Sequence, residues 1–278
     1  PPSTPATLTR RRRAAFSRMP LRPPGCLLVF AVVAARGARM ITTSFEPAAR
    51  APAALCRSAE GRCGEVPRES SAEGSAEVHF GSGPPFWDAH YAQDPIPEDW
   101  LEEYGDVRHL IHEATRSDKT SRVLHVGCGS SRLAEEMYDE GYRRIVNIDS
   151  SSVVIRQMAS RNVGRPGLQW LVMDAGRLSF DHCEFDAVID KGLLDTLALG
   201  DDGPEAIGAY LRGVARVLRP GGAFLCISFC QPQLWRRFFD ATAFDLELRE
   251  VELPQPDPTL SANYAYIATS RSLPPGAT

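Results

Sequence analysis

From residue 123 onward, apolar positions alternate between two spacings. Short, almost unbroken apolar runs, with the length and β-branched character of buried strands, cover residues 123–126, 145–148, 168–173, 185–189 and 223–229. Between them the spacing changes to that of a helix. Leu133 and Met137 lie one turn apart before Gly141, which stops that helix. Val154, Ile155 and Met158 line one side of a helix over residues 152–162, with Ser152 as N-cap. A third helix spans 204–218 and is stopped by Pro220-Gly221-Gly222, and 234–241 reads as a fourth. Two late strands, 244–253 and 264–269, have no long helix between them, which predicts an antiparallel edge hairpin. Upstream, the folded body begins near Phe86 with the aromatic-dense segment 86–91. Asp99-Trp100 then opens a helical stretch carrying Leu101, Tyr104, Val107 or Arg108, and Ile111. Strands alternating with helices predict an α/β class: a Rossmann-like, doubly wound, mostly parallel seven-stranded sheet with an antiparallel C-terminal edge hairpin.

The chemistry concentrates in residues 122–149. The first strand runs into Gly127-Cys128-Gly129-Ser130-Ser131, a helix follows, and the second strand ends on Asp149. Glycines allow the backbone to approach a ligand closely, and a helix N-terminus offers free N–H groups. An acid about twenty residues on, at the tip of the second strand, suits the two hydroxyls of a ribose. The dinucleotide fingerprint would place a third glycine at position 132, where this chain has Arg132. That disfavours a pyrophosphate and suits an adenosine ligand without one, of which S-adenosylmethionine (SAM) is the commonest. Two more acids end later strands: Asp174, placed to accept from an adenine amino group, and Asp190, in Asp190-Lys191-Gly192, nearest the reacting end. In open α/β sheets these strand ends form the ligand crevice.

Composition narrows the partners. The chain has 278 residues, 43% apolar and 24% charged, with a net charge of −4. Residues 1–80 hold twelve Arg, no Lys and six Glu, a net of +6; residues 81–278 hold nineteen Lys and Arg against twenty-nine Asp and Glu, a net of −10. An acidic body excludes duplex nucleic acid as a natural partner and favours a basic protein segment. The Arg-rich leader resembles an organelle transit peptide. Its apolar run 26–35 is too short for stable membrane insertion, though long enough for a signal-peptide core, and Met19 and Met40 are candidate starts. Residues 60–77 read as a disordered linker, so residues 1–80 form a leader and 81–278 the folded domain. The seven cysteines show no framework. Cys226 and Cys230, four apart in a predicted strand, read as core thiols, and no metal is expected.

The motifs VLHVGCGSS, IVNIDSS, MDAGRLSF, FDAVIDKGLLDTL and RVLRPGGAFLCIS resemble, in order, those of class I SAM-dependent methyltransferases. Over residues 84–270 the chain is similar, more narrowly, to the seven-β-strand enzymes that methylate lysine in translation elongation factor 1A. That resemblance implies SAM as cofactor, held by Trp87, Tyr91, Trp100, Gly127, Gly129, Asp149, Ser150, Asp174, Ala175 and Lys191. It implies a protein substrate with a basic, lysine-bearing segment, and a cytoplasmic location unless the leader is a genuine transit peptide to a mitochondrion or plastid. Asp190 and Asp195 are the candidates to orient the substrate amine or pass its proton to water. Two departures stand out: His125 occupies a position where many class I enzymes carry an acid, and Leu193 replaces a threonine in D/E-K-G-T-L-D. A NAD-dependent oxidoreductase, a small-metabolite methyltransferase and an idle SAM-fold binding protein are the alternatives.

Overall fold

The runs 123–126, 145–148, 185–189 and 223–229 form strands because they enter a sheet covered on both faces, whereas 168–172 pairs at the sheet's edge and is largely exposed. The computed structural model describes residues 83–93, 99–200, 202–241, 246–253, 255 and 261–270. The leader 1–80, its targeting features and Glu98 lie outside the described residues. The elements in order are α1 (Pro84–Gln93), α2 (Tyr104–Ala114), β1 (Val123–Val126), α3 (Leu133–Asp139), β2 (Ile145–Asp149), α4 (Ser152–Arg161) and β3 (Leu168–Val172). There follow a 3-10 turn (Ala175–Arg177), β4 (Phe185–Lys191), α5 (Leu193–Leu199), α6 (Gly203–Val217), β5 (Leu218–Ser228), α7 (Pro232–Ala241), β6 (Leu246–Leu253) and β7 (Asn263–Ser270).

The seven strands lie in the order β3-β2-β1-β4-β5-β7-β6. β1 pairs parallel with β2 and β4, and β4 with β5, whereas β7 runs antiparallel between β5 and β6. The order reverses direction at β1/β4, so the carboxyl ends of β1, β2 and β4 open on a shared crevice. β1 is buried at every position, and each fully buried Val or Leu side chain there contributes roughly 1.5–3 kcal/mol. The core continues through Val107, Leu110 and Ile111 of α2, which occupy one helical face, and Leu133 and Met137 of α3.

Several local expectations are corrected. α2 starts at Tyr104, not at Asp99: Glu103 is its N-cap in a capping box with Asp106, and Leu101 has φ 67, outside any helix. Ser151, one residue before the expected cap, accepts from the Val154 N–H at the start of α4. Pro220-Gly221-Gly222 does not separate a helix from a later strand, because α6 passes directly into β5 at Leu218 and the triplet bulges out of the β4–β5 register. Cys230 lies beyond the end of β5, so Cys226 and Cys230 do not share a strand, although both are buried and outside any disulfide. Among the described residues no cluster of His, Cys, Asp and Glu could hold a metal ion, and no helix is long and apolar enough to cross a membrane.

Candidate functional site

The turn after β1 is shaped by two glycines in the left-handed region, Gly127 at φ 58 and Gly129 at φ 50. A Cβ on Gly127 would lie 2.8 Å from Leu193 Cβ, and one on Gly129 would lie 2.7 Å from the Tyr91 hydroxyl. The backbone is therefore bare where α1 and α5 approach it. A cleft of about 820 Å³, its solvent-facing mouth included, lies over this turn.

Four groups of residues line the cleft. The glycine turn supplies Gly127 to Ser131, with His125 beneath it. The β2 and β3 ends supply Asp149, Ser150, Met173, Asp174 and Ala175. The β4 end and α5 supply Lys191, Gly192, Leu193, Thr196 and Leu197. Trp87, Tyr91 and Trp100 complete it as an aromatic wall, the Trp87 ring centroid 6.0 Å from each of the other two. α1 is tied down onto α4: the Asp88 carboxylate accepts from the Ser151 hydroxyl at 2.6 Å and the Val153 N–H at 3.1 Å, and Gln157 Nε2 donates to the Tyr91 carbonyl at 2.8 Å.

Asp149 is buried at the tip of β2, accepting from the Gly129 N–H at 3.0 Å and the Ser151 N–H at 2.9 Å. Burial raises its pKa, opposed by those two hydrogen bonds. Asp174 is exposed and caps the 3-10 turn, accepting from the Gly176 N–H at 2.8 Å. His125 is buried, and its Nδ1 lies 3.2 Å from Asn147 Oδ1. Asn147 Nδ2 donates to the Gln169 carbonyl at 3.1 Å, so Oδ1 is the acceptor and Nδ1 carries the imidazole proton. Burial, with the nearby Lys191 charge, lowers the His125 pKa to about 4, so the ring is neutral at physiological pH. Lys191 is almost wholly enclosed and donates to Asp99 at 3.0 Å and to the Trp100 carbonyl at 2.8 Å. Burial pulls the ammonium below its ordinary pKa, with Asp99 opposing the shift.

All ten residues expected to hold the cofactor line this one cleft. Asp190 and Asp195 do not. Successive residues of a strand face opposite sides of the sheet, so Lys191 in the cleft puts Asp190 under α5 and α6. There it accepts from the Leu193 N–H at 2.8 Å, the Leu194 N–H at 3.1 Å and the Tyr210 hydroxyl at 2.9 Å. Asp195 lies on the inner face of α5 and accepts from the Ser228 hydroxyl at 2.5 Å. Burial raises both carboxyls to about 7. The sequence reading missed Thr196 and Leu197, and with them α5 itself. The i, i+3, i+4 spacing of Leu193, Thr196 and Leu197, opposite the buried Leu194 and Ala198, was the available signal.

The cleft's donors and acceptors fit SAM. A bare glycine turn admits a nucleoside against the backbone, a buried acid faces it, and aromatic rings and Met173 offer flat apolar cover. Asp149→Ala is expected to weaken SAM binding by about 1.5–3 kcal/mol, the range for charge-assisted hydrogen bonds. It should also lower the melting temperature slightly, because the Gly129 and Ser151 N–H groups lose their acceptor. Calorimetric titration with unchanged affinity would remove Asp149 from the site.

The comparisons agree with this chemistry. A family described as "Methyltransferase domain" matches residues 124–226. The chain is 35% identical over 176 residues to the mouse (Mus musculus) protein named eEF1A lysine and N-terminal methyltransferase, covering 62% of this chain and 24% of that protein. It thus spans about a quarter of the length of that relative. To the cattle (Bos taurus) protein named EEF1A lysine methyltransferase 4 it is 32% identical over 174 residues, covering 59% of this chain and 68% of that protein. Among solved structures, the N-methyltransferase NodS of Bradyrhizobium japonicum, crystallised with S-adenosyl-L-homocysteine, aligns with TM-score 0.51 at 16% identity, covering 66% of this chain and 98% of that one. A protein from Pyrococcus horikoshii aligns with TM-score 0.52 at 17% identity, covering 66% and 99%. At those identities the two structures speak to the fold alone. With a shared sequence pattern across most of a relative's length and this seven-stranded sheet, the chain belongs to the class I SAM-dependent methyltransferases, beside the eEF1A lysine methyltransferases.

Proposed function

We propose that the folded body, residues 81–278, transfers the methyl group of SAM to a lysine side chain of a protein, with elongation factor 1A the first candidate. The leader 1–80 stands outside this domain. The observation that carries the substrate reading is the mouth of the cleft. An aromatic wall of Trp87, Tyr91 and Trp100 stands beside the acidic segment Asp99, Glu102, Glu103 and Asp106, on a body of net charge −10. The names of the relatives favour the same substrate class, and a cytoplasmic site of action goes with it.

In this reading Asp149 holds the ribose, Ser150, Asp174 and Ala175 border the adenine, and the Gly127–Gly129 backbone takes the amino-acid end. SAM supplies a methyl group already activated on a sulfonium. The chain's own work is therefore alignment and exclusion of water. An acceptor lysine, with a free pKa of about 10.4, has to shed a proton to water first. The aromatic wall favours the lysine's entry as a cation, and the apolar Leu193 and Leu197 favour its neutral form at the reacting end. Asp190 acts from beneath α5 and Asp195 from its inner face, together holding the helix that carries Leu193, Thr196 and Leu197 into the cleft.

Radiolabelled transfer from SAM to purified elongation factor 1A tests the reading directly. Transfer is expected to slow as salt rises from about 0.05 to 0.3 M, mainly through the apparent Michaelis constant, because salt screens the acidic field within about 10 Å at 0.1 M. Glu102 is unsuitable for a charge-reversal variant, since it accepts from Asn263 Nδ2 at 2.8 Å and Gln255 Nε2 at 2.9 Å. Efficient methylation of a small thiol or carboxylate, with no salt dependence and no transfer to protein, would leave only the SAM-binding reading.

A further inference from the structure

Asp99 enters the sequence reading only as the start of a helix. The structure gives it more to do. Its carboxylate accepts from Lys191 Nζ at 3.0 Å, from the Arg132 N–H at 3.2 Å and from the Ser131 hydroxyl, while Lys191 also donates to the neighbouring Trp100 carbonyl at 2.8 Å. Residues 99–103 therefore form a strap joining the end of β4, the start of α3 and the cap of α2. Its far end is held as well: Asn263 Nδ2 donates to the Leu101 carbonyl at 3.3 Å and to Glu102. Between the two anchors Leu101 sits at φ 67, a conformation that costs a leucine free energy and persists only where the surroundings enforce it. The strap carries Trp100 into the wall of the cleft and leaves the Lys191 side chain only 2% exposed.

We infer that Asp99 is a positioning residue: it clamps the Trp100 strap onto Lys191 and the glycine-turn helix, and Lys191 serves the cleft through this clamp rather than as a direct ligand of the cofactor. The inference rests on the reading of the cleft as a SAM site. It also accounts for a lysine in the wall of a site for a cationic ligand. An unpaired ammonium there would repel a sulfonium, whereas one held by a carboxylate and a carbonyl leaves the wall near neutral.

A double-mutant cycle on the full chain separates clamp from ligand. SAM affinity is measured by calorimetry for wild type, Asp99→Asn, Lys191→Met and the double variant. If the two residues act as one clamp, each single change weakens SAM about tenfold and the double variant is weakened by about the same factor. Losses that multiply to about a hundredfold, or a loss in Lys191→Met with wild-type affinity in Asp99→Asn, would overturn the inference. Hydrogen exchange without ligand supplies the second readout. The Glu102 N–H, which donates to the Trp100 carbonyl at 2.8 Å, should exchange at least tenfold faster in Asp99→Asn and in Lys191→Met. Unchanged exchange at Glu102, with melting temperatures showing both variants folded, overturns the clamp. Were wild type not to bind SAM at all, the cofactor reading would fall and the exchange measurement would still decide the clamp.

Discussion

Asp190→Ala should destabilise the folded body by about 3–5 kcal/mol, lowering its melting temperature by roughly 10 °C. The substitution strips the acceptor from the Leu193 and Leu194 N–H groups and from the Tyr210 hydroxyl, all in a region closed to water. Each orphaned donor costs about 1–3 kcal/mol, and removing a buried carboxylate offsets part of that. Asp190→Asn keeps one acceptor oxygen and should recover about half of the loss. Urea unfolding of the three proteins gives the values directly. A change below about 1 kcal/mol in Asp190→Ala, with turnover lost in the folded variant, would return Asp190 to a role at the reacting amine.

A fall in stability as pH rises from 5 to 8 is the second large effect expected. The carboxyls of Asp190 and Asp195 lie at about 7 in the fold, raised above all by burial, against an ordinary 3.8. The folded chain thus holds up to two protons that the unfolded chain has already lost. Stability therefore declines as pH climbs from about 4 through 7. His125 acts in the opposite sense. Its folded pKa of about 4 lies below the ordinary 6.5, so it favours the fold above pH 6.5 and loses that contribution as pH falls towards 4. Two carboxyls against one imidazole leave the net slope downward with rising pH. Asp149, Glu102 and Glu136, also raised by burial, add to it. Over this range the decline should amount to a few kcal/mol, on the order of one pKa unit per 1.4 kcal/mol. Asp195→Asn removes one of the two main contributors. Because Asp195 has an oxygen without a hydrogen-bond partner among the described residues, the variant should match or exceed wild type at pH 8 and lag it at pH 5. Melting curves at both pH values decide. A wild-type melting temperature that is flat, or that rises towards pH 8, would contradict the buried ionisation.

What the sequence made legible followed from periodicity. Val123–Val126 and Phe185–Lys191 are buried nearly throughout, so their runs of apolar residues had only one reading as strands. The glycine turn and Asp149 were legible for the same local reason, a fixed spacing between a backbone-bare loop and an acid. The candidate catalytic pair is a different matter. Asp190 and Lys191 share a motif that points both of them to the cleft, yet adjacent strand residues part to opposite faces. Asp195 was placed there as well, because α5 went unread. Seven residues, five of them leucine or alanine, look the same as a loop edge until the i, i+3, i+4 contacts exist. The strap was illegible for another reason: a left-handed leucine held by Asn263, more than 160 positions away, leaves no local mark.

The tip of β4 also bears on how this domain could be recombined with its relatives. Asp190 grips α5 from below and Lys191 grips the Trp100 strap from above, with a single peptide bond between them. Inserting or deleting one residue between Phe185 and Asp190 would exchange their faces, turning an ammonium into the core and a carboxylate towards the cofactor. A chimera should therefore be spliced at the Gly200–Gly203 link between α5 and α6, where length can vary without inverting that polarity.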